Sequence, residues 1–80
     1  MRTIKIRFVK NQRGNYNIQR KGWFGRWKYI GYSVDMGYGG FYALYVGDTK
    51  ESLLDEVLDK HYRVCRKHVE IIEYPTIKVY

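Results

Sequence analysis

Over residues 3–9 the chain alternates, with Ile4, Ile6 and Phe8 on one side and Lys5 and Arg7 on the other. That is the period of a half-buried strand. Residues 11–15, Asn-Gln-Arg-Gly-Asn, read as a turn. A second strand follows over 16–21, with Tyr16 and Ile18 facing one way and Asn17, Gln19 and Lys21 the other. Gly22-Trp23-Phe24-Gly25, two large rings bracketed by glycines, reads as the tip of a hairpin. A third strand is predicted from 26 to about 34. Both of its faces are bulky, Trp27 and Tyr29 against Lys28, Ile30 and Tyr32, so the pattern leaves its inward face open. Residues 35–40 form a glycine-rich loop, and 41–46 a fourth short strand.

Asp48 or Thr49 then caps a helix, with Glu51 placed as in a capping box. The helical period runs to about residue 67. It gathers Leu53, Leu54, Val57, Leu58, His61, Val64 and Cys65 on one side, and Asp55, Glu56, Asp59, Lys60, Arg63, Arg66 and Lys67 on the other. Glu56–Lys60 and Asp59–Arg63 are favourably oriented pairs one turn apart. A last strand over 69–74 and 77–80 is interrupted by Pro75. The order ββββαβ predicts an α+β fold: an antiparallel sheet of four to five strands with one amphipathic helix on one face. In that packing Leu54, Leu58 and Cys65 lie against Ile4, Ile6, Phe8 and Ile71.

Length and composition narrow the class. Eighty residues make one small domain, 1–80, and a chain that is 45% hydrophobic and 18% aromatic can supply a core and argues against disorder. The single cysteine, Cys65, forms no internal disulfide, which suits a reducing cytoplasm. Residues 1–20 lack the apolar run of a signal peptide, and no stretch has the length of a spanning helix, so a cytoplasmic location away from membranes is expected.

Charge changes the picture most. The first 34 residues contain no acid and nine bases: Arg2, Lys5, Arg7, Lys10, Arg13, Arg20, Lys21, Arg26 and Lys28. The remaining 46 hold six bases and eight acids, so the net +7 comes wholly from the first segment. Such a segment attracts polyanions and acidic protein surfaces. Two constellations sit within it. One is the hairpin tip, where Trp23 and Phe24 are flanked by Arg20, Lys21, Arg26 and Lys28, a set suited to phosphate contact plus stacking. The other is the polar face Lys5, Arg7, Asn17, Gln19, Lys21, Arg26 and Lys28, which three adjacent strands would present opposite the helix. Lys and Arg bind phosphates there, and Asn, Gln and Arg can read base edges. The competing readings are a tip that folds back on the core and a sheet face that is merely solvated.

Other motifs point nowhere further. His61, Cys65 and His68 have the spacing of metal ligands on a helix but no nearby fourth ligand. Gly37-Tyr38-Gly39-Gly40 precedes a strand, unlike a phosphate-binding loop. No nucleophile stands beside a base at a recognisable spacing, so neither an enzyme nor a cofactor is expected.

Tyr16-Asn17-Ile18-Gln19-Arg20-Lys21, Arg26-Trp27-Lys28-Tyr29 and the helix from Thr49 give residues 14–62 a resemblance to integrase arm-binding domains and the plant ethylene-response-factor DNA-binding domain. The resemblance implies a three-stranded sheet entering the major groove with a helix behind it. The extra strands at 41–46 and 69–80 depart from that pattern. In its size, its Trp-Phe-Gly hairpin and its Tyr-Pro-Thr-Ile-Lys-Val-Tyr ending, the chain is also similar to small uncharacterised proteins of phages and mobile elements. The expectation is therefore a small non-enzymatic nucleic-acid-binding protein. A phage-type protein that binds and inhibits or redirects a host protein is the alternative, and a small basic ribonuclease the third reading.

Overall fold

The computed structural model describes residues 2–75. It is a small α+β fold built from β1 (Arg2–Lys10), β2 (Tyr16–Lys21), β3 (Trp27–Tyr29), β4 (Gly31–Asp35), β5 (Gly40–Leu44), β6 (Val46–Gly47), α1 (Lys50–Val57) and β7 (Val69–Tyr74). The main sheet runs β3-β2-β1-β7, with β6 also on β2. It is mixed, where a wholly antiparallel sheet is expected from sequence. β1 pairs antiparallel with β2, setting Arg7 opposite Gln19 and Phe8 opposite Ile18. β7 pairs parallel with β1, setting Ile4 beside Ile71 and Arg7 beside Tyr74. The cause is the helix. β6 and β7 point the same way, and a parallel connection needs a long crossover, which α1 provides.

The second difference lies at the edge of β2. β3 pairs with residues 19–21 of β2, and β6 with residues 16–17. Between them the Ile30 N–H donates to the Ile18 carbonyl at 2.9 Å, and the Tyr45 N–H donates to the Ile30 carbonyl at 3.2 Å. β3 and β6 are thus two halves of one edge strand, and residues 31–44 leave the sheet between them. They form a separate two-stranded ribbon, β4 with β5. The expected strands 26–34 and 41–46 are each divided between the sheet and the ribbon. Ile30 and Tyr45, both buried, are the pivots. At the ribbon's base only glycine fits: a Cβ on Gly31 would lie 2.3 Å from the Ala43 carbonyl oxygen.

One face of the sheet meets α1. Ile4, Ile6, Phe8, Ile18 and Ile30 pack there with Leu53, Leu54, Val57 and Leu58, and Tyr45 and Val69 complete the core. Thr49 caps the helix, its hydroxyl accepting from the Ser52 N–H at 3.2 Å. After Val57 the helix continues as one wider turn, Leu58–Tyr62, and ends where Arg63 takes a left-handed conformation with φ 53°. It therefore stops short of residue 67. Two consequences follow. Glu56–Lys60 pairs at 3.5 Å, but Arg63 has left the helical path, and Asp55 pairs with Arg66 at 3.3 Å. Cys65 is exposed rather than part of the core. The continuation of the last strand over 77–80 lies outside the described residues. Among the described residues, no helix is long and apolar enough to cross a membrane.

Candidate nucleic-acid interface

The register of β1, β2 and β3 sorts the basic and polar candidates onto two faces. Residues directly opposite one another in a ladder share a face. Arg7, Gln19 and Tyr29 therefore share the face turned away from the helix, as do Lys21 and Trp27. Lys5 and Asn17 belong to the same set by alternation. Arg20 and Lys28 are opposite each other on the helix side. The single polar face expected from sequence is thus divided. Lys5, Arg7, Asn17, Gln19 and Lys21 come together, while Lys28 does not join them. Arg26 lies in the groove described below, with Arg20 and Lys28.

On the open face three of these side chains are already engaged. Arg7 is only 8% exposed. Its guanidinium lies over the Trp27 ring, 4.4 Å from the centroid, and its Nε donates to the Gln19 side-chain oxygen. Asn17 donates to the Tyr45 carbonyl at 3.1 Å and accepts from the Asn11 side chain at 3.2 Å. Gln19 and Asn17 are both buried. These contacts fix the hairpin and the edge of the sheet, and they hold all three side chains largely buried. Trp27 stands edge-on to Tyr74 with centroids 5.3 Å apart, and Lys21 Nζ lies 5.0 Å from the Tyr74 ring centre. Trp27 and Tyr74 were absent from the sequence-derived set. The register of β3 against β2 would have placed Trp27 beside Lys21, but the ambiguous faces of that strand concealed it.

The hairpin tip is built differently. Gly22 N–H donates to the Arg26 carbonyl at 2.7 Å, and Gly25 N–H to the Gly22 carbonyl at 3.3 Å. Within this closed turn Phe24 has φ 65° and Gly25 φ 74°. A left-handed conformation is free for glycine but costs another residue about 1–2 kcal/mol. Phe24 gains no burial in exchange: it is 96% exposed, and Trp23 is 90% exposed. The tip does not fold back on the core. Of the two solvent-facing rings, only Phe24 sits on strained backbone, and no packing of its side chain offsets that cost.

Cations surround these rings. One surface concavity is lined by Lys5, Arg20, Lys21, Gly22, Trp23 and Gly25. A second, lined by Arg20, Gly22, Trp23, Phe24, Arg26 and Lys28, adjoins it along Arg20, Gly22 and Trp23. Neither is lined by an acid. Among the described residues the three ion pairs use Lys50, Lys60 and Arg66, so none draws on the acid-free segment. Arg20 also reaches the end of the helix electrostatically. Burial and then the Arg20 charge hold the His61 imidazole below its ordinary range. Burial raises the Tyr62 hydroxyl, opposed by the charges of Arg20 and Arg2.

The helix end at Arg63 separates His61 from Cys65 and His68, which no longer share a helical face. Among the described residues, no three His, Cys, Asp or Glu side chains gather as a metal site. Sequence reasoning also missed the ribbon. Tyr32, Met36, Tyr38, Phe41, Tyr42 and Leu44 are all exposed on it. Its signal was the run 31–47, which carries one charged residue, Asp35, in an otherwise heavily charged chain.

Comparison with known proteins returned no matching family model, no matching curated protein and no matching solved structure.

Proposed function

We propose that this chain is a small non-enzymatic nucleic-acid-binding protein whose contact surface is the β2–β3 hairpin tip and its flanking bases. One observation carries the reading. Two exposed rings on a strained turn are bordered by Arg20, Lys21, Arg26 and Lys28, with no acid lining either concavity. Cations with no ion-pair partner among the described residues attract phosphates and release counterions on binding. Rings beside them add stacking, which tolerates any base. Arg7, Asn17 and Gln19 are engaged internally, so base-edge readout by the open face is no part of the proposal. Substituting Arg26→Glu together with Lys28→Glu tests it. Both side chains are exposed and outside the core, so the circular dichroism spectrum should be unchanged. Retention on heparin and on immobilised DNA should be lost. Undiminished retention on both would overturn the reading.

A second reading is favoured by the ribbon. Its exposed tyrosines, Phe41 and Met36 are residue types that anchor protein interfaces, and its near-absence of charge suits an apolar partner surface. On this reading the chain is a phage-type protein that engages a host protein. Binding through the ribbon would show little dependence on salt.

A further inference from the structure

We infer that the hairpin tip is a stacking site for an unpaired nucleic-acid strand, with Trp23 as the platform and the two adjoining basic concavities as seats for phosphates on either side of the stacked base. The inference deepens the nucleic-acid reading and rests on it.

Trp23 is the shared wall of both concavities and is 90% exposed, so its indole is accessible to a base. The turn beneath it is closed by two backbone hydrogen bonds, from Gly22 N–H to Arg26 and from Gly25 N–H to Gly22. The ring is thus carried on a fixed support rather than on a loose loop. Arg20 borders both concavities, Lys5 and Lys21 border one, and Arg26 and Lys28 the other. A strand passing across Trp23 meets cations before and after the ring. That is the repeat of a nucleic-acid strand: phosphate, base, phosphate.

Base pairing decides which nucleic acid fits. In a duplex both faces of a base are covered by its neighbours. Stacking on Trp23 would then require unstacking a step, which costs a few kcal/mol. The polar side chains of the open face are too buried to offer much groove readout in compensation. Arg7 and Gln19 bond to each other, and Asn17 bonds to Tyr45 and Asn11. The favoured ligand is therefore a single strand, bound through backbone and ring with little sequence preference.

The test uses the intact chain and three probes: a short oligothymidylate, a duplex of equal length, and heparin, which carries negative charge but no bases. The chain has two tryptophans, so a Trp27→Phe background isolates the Trp23 fluorescence. Should that variant fold poorly, the difference between wild type and Trp23→Phe gives the same signal. The single strand should quench Trp23, and heparin should leave it nearly unquenched. Trp23→Ala should weaken oligothymidylate binding by roughly 5- to 150-fold, the effect of losing one stacked base, and leave heparin affinity unchanged. Equal affinity for duplex and single strand without quenching would overturn the stacking site and leave the nucleic-acid reading intact. Equal weakening of heparin and oligothymidylate by Trp23→Ala would also overturn it. If none of the three probes binds, the nucleic-acid reading fails with it.

Discussion

Replacing Phe24 with glycine should make the protein more stable and bind less well. Phe24 sits at φ 65°, ψ 16°, in the left-handed region, with its side chain 96% exposed. Placing an L-residue there costs about 1–2 kcal/mol. Glycine removes that strain, and its greater freedom in the unfolded chain returns about 0.5–1 kcal/mol of the gain. The ring contributes almost no packing, so little offsets the balance. The net stabilisation should be about 0–1.5 kcal/mol, centred near 0.75. In a domain of this size the central value raises Tm by about 3–6 °C. Thermal melts followed by circular dichroism measure it directly, and titration with an oligonucleotide measures the companion loss of affinity. A stability gain paired with a binding loss is the signature of a residue kept for contact. A lower Tm would refute the reasoning, because it would mean that the Phe24 ring packs somewhere and the tip is structural.

Further predictions concern the core, the open face and the helix end. Leu58 is buried between α1 and the sheet, so Leu58→Ala should cost about 2–5 kcal/mol, whereas Cys65→Ser, at an exposed position, should stay within about 0.5 kcal/mol of wild type. Equal melting temperatures for the two variants would contradict the packing described. Arg7→Ala removes the cation over Trp27 and leaves the buried Gln19 oxygen without its donor, a loss of about 1–3 kcal/mol in denaturant titration; its heparin retention should hold. An Arg7 variant with unchanged stability but lost retention would restore Arg7 to the binding surface. His61 is a base whose folded pKa lies below its ordinary value, so the unfolded chain takes up the proton first. Its contribution is complete above the ordinary pKa and is lost as pH falls towards the folded one. Tm should therefore decline on mild acidification by less in His61→Gln than in wild type, and identical declines would contradict it.

Much of the fold was legible because its signals are local. Alternation in β1 and β2 placed Ile4, Ile6, Phe8 and Ile18 in the core, and the apolar stripe identified Leu53, Leu54, Val57 and Leu58 as the packed face of the helix. What escaped was set by tertiary geometry. Nothing local distinguishes a strand that stays in the sheet from one that leaves it at Ile30. The division arises because Ile30 and Tyr45 are buried while residues 31–44 between them project. The helical period continues through Val64 and Cys65, but the chain must turn at Arg63 to bring Val69 beside Arg2. The parallel sense of β7 is likewise a property of the crossover rather than of its residues. At the site, the acid-free charge and the hairpin tip were readable from composition and from the bracketing glycines, while the exposure of Trp23 and Phe24 was left open by the sequence. The engagement of Arg7, Asn17 and Gln19 was not, because it depends on cross-strand register and on the Tyr45 carbonyl returning from a distant turn.

The central claim is that the bases around the hairpin tip bind phosphates. The most direct test is the salt dependence of binding to a single-stranded oligonucleotide, measured for wild type and for Arg26→Gln with Lys28→Gln. The account predicts a linear fall of log K with log salt for wild type, with a slope of about −0.7 for each phosphate neutralised on a single strand. The double variant should bind more weakly, with a slope shallower by up to about 1.4, two such contacts. An affinity independent of salt, or a slope unchanged by removing both charges, would contradict the claim and leave the ribbon as the surface to pursue.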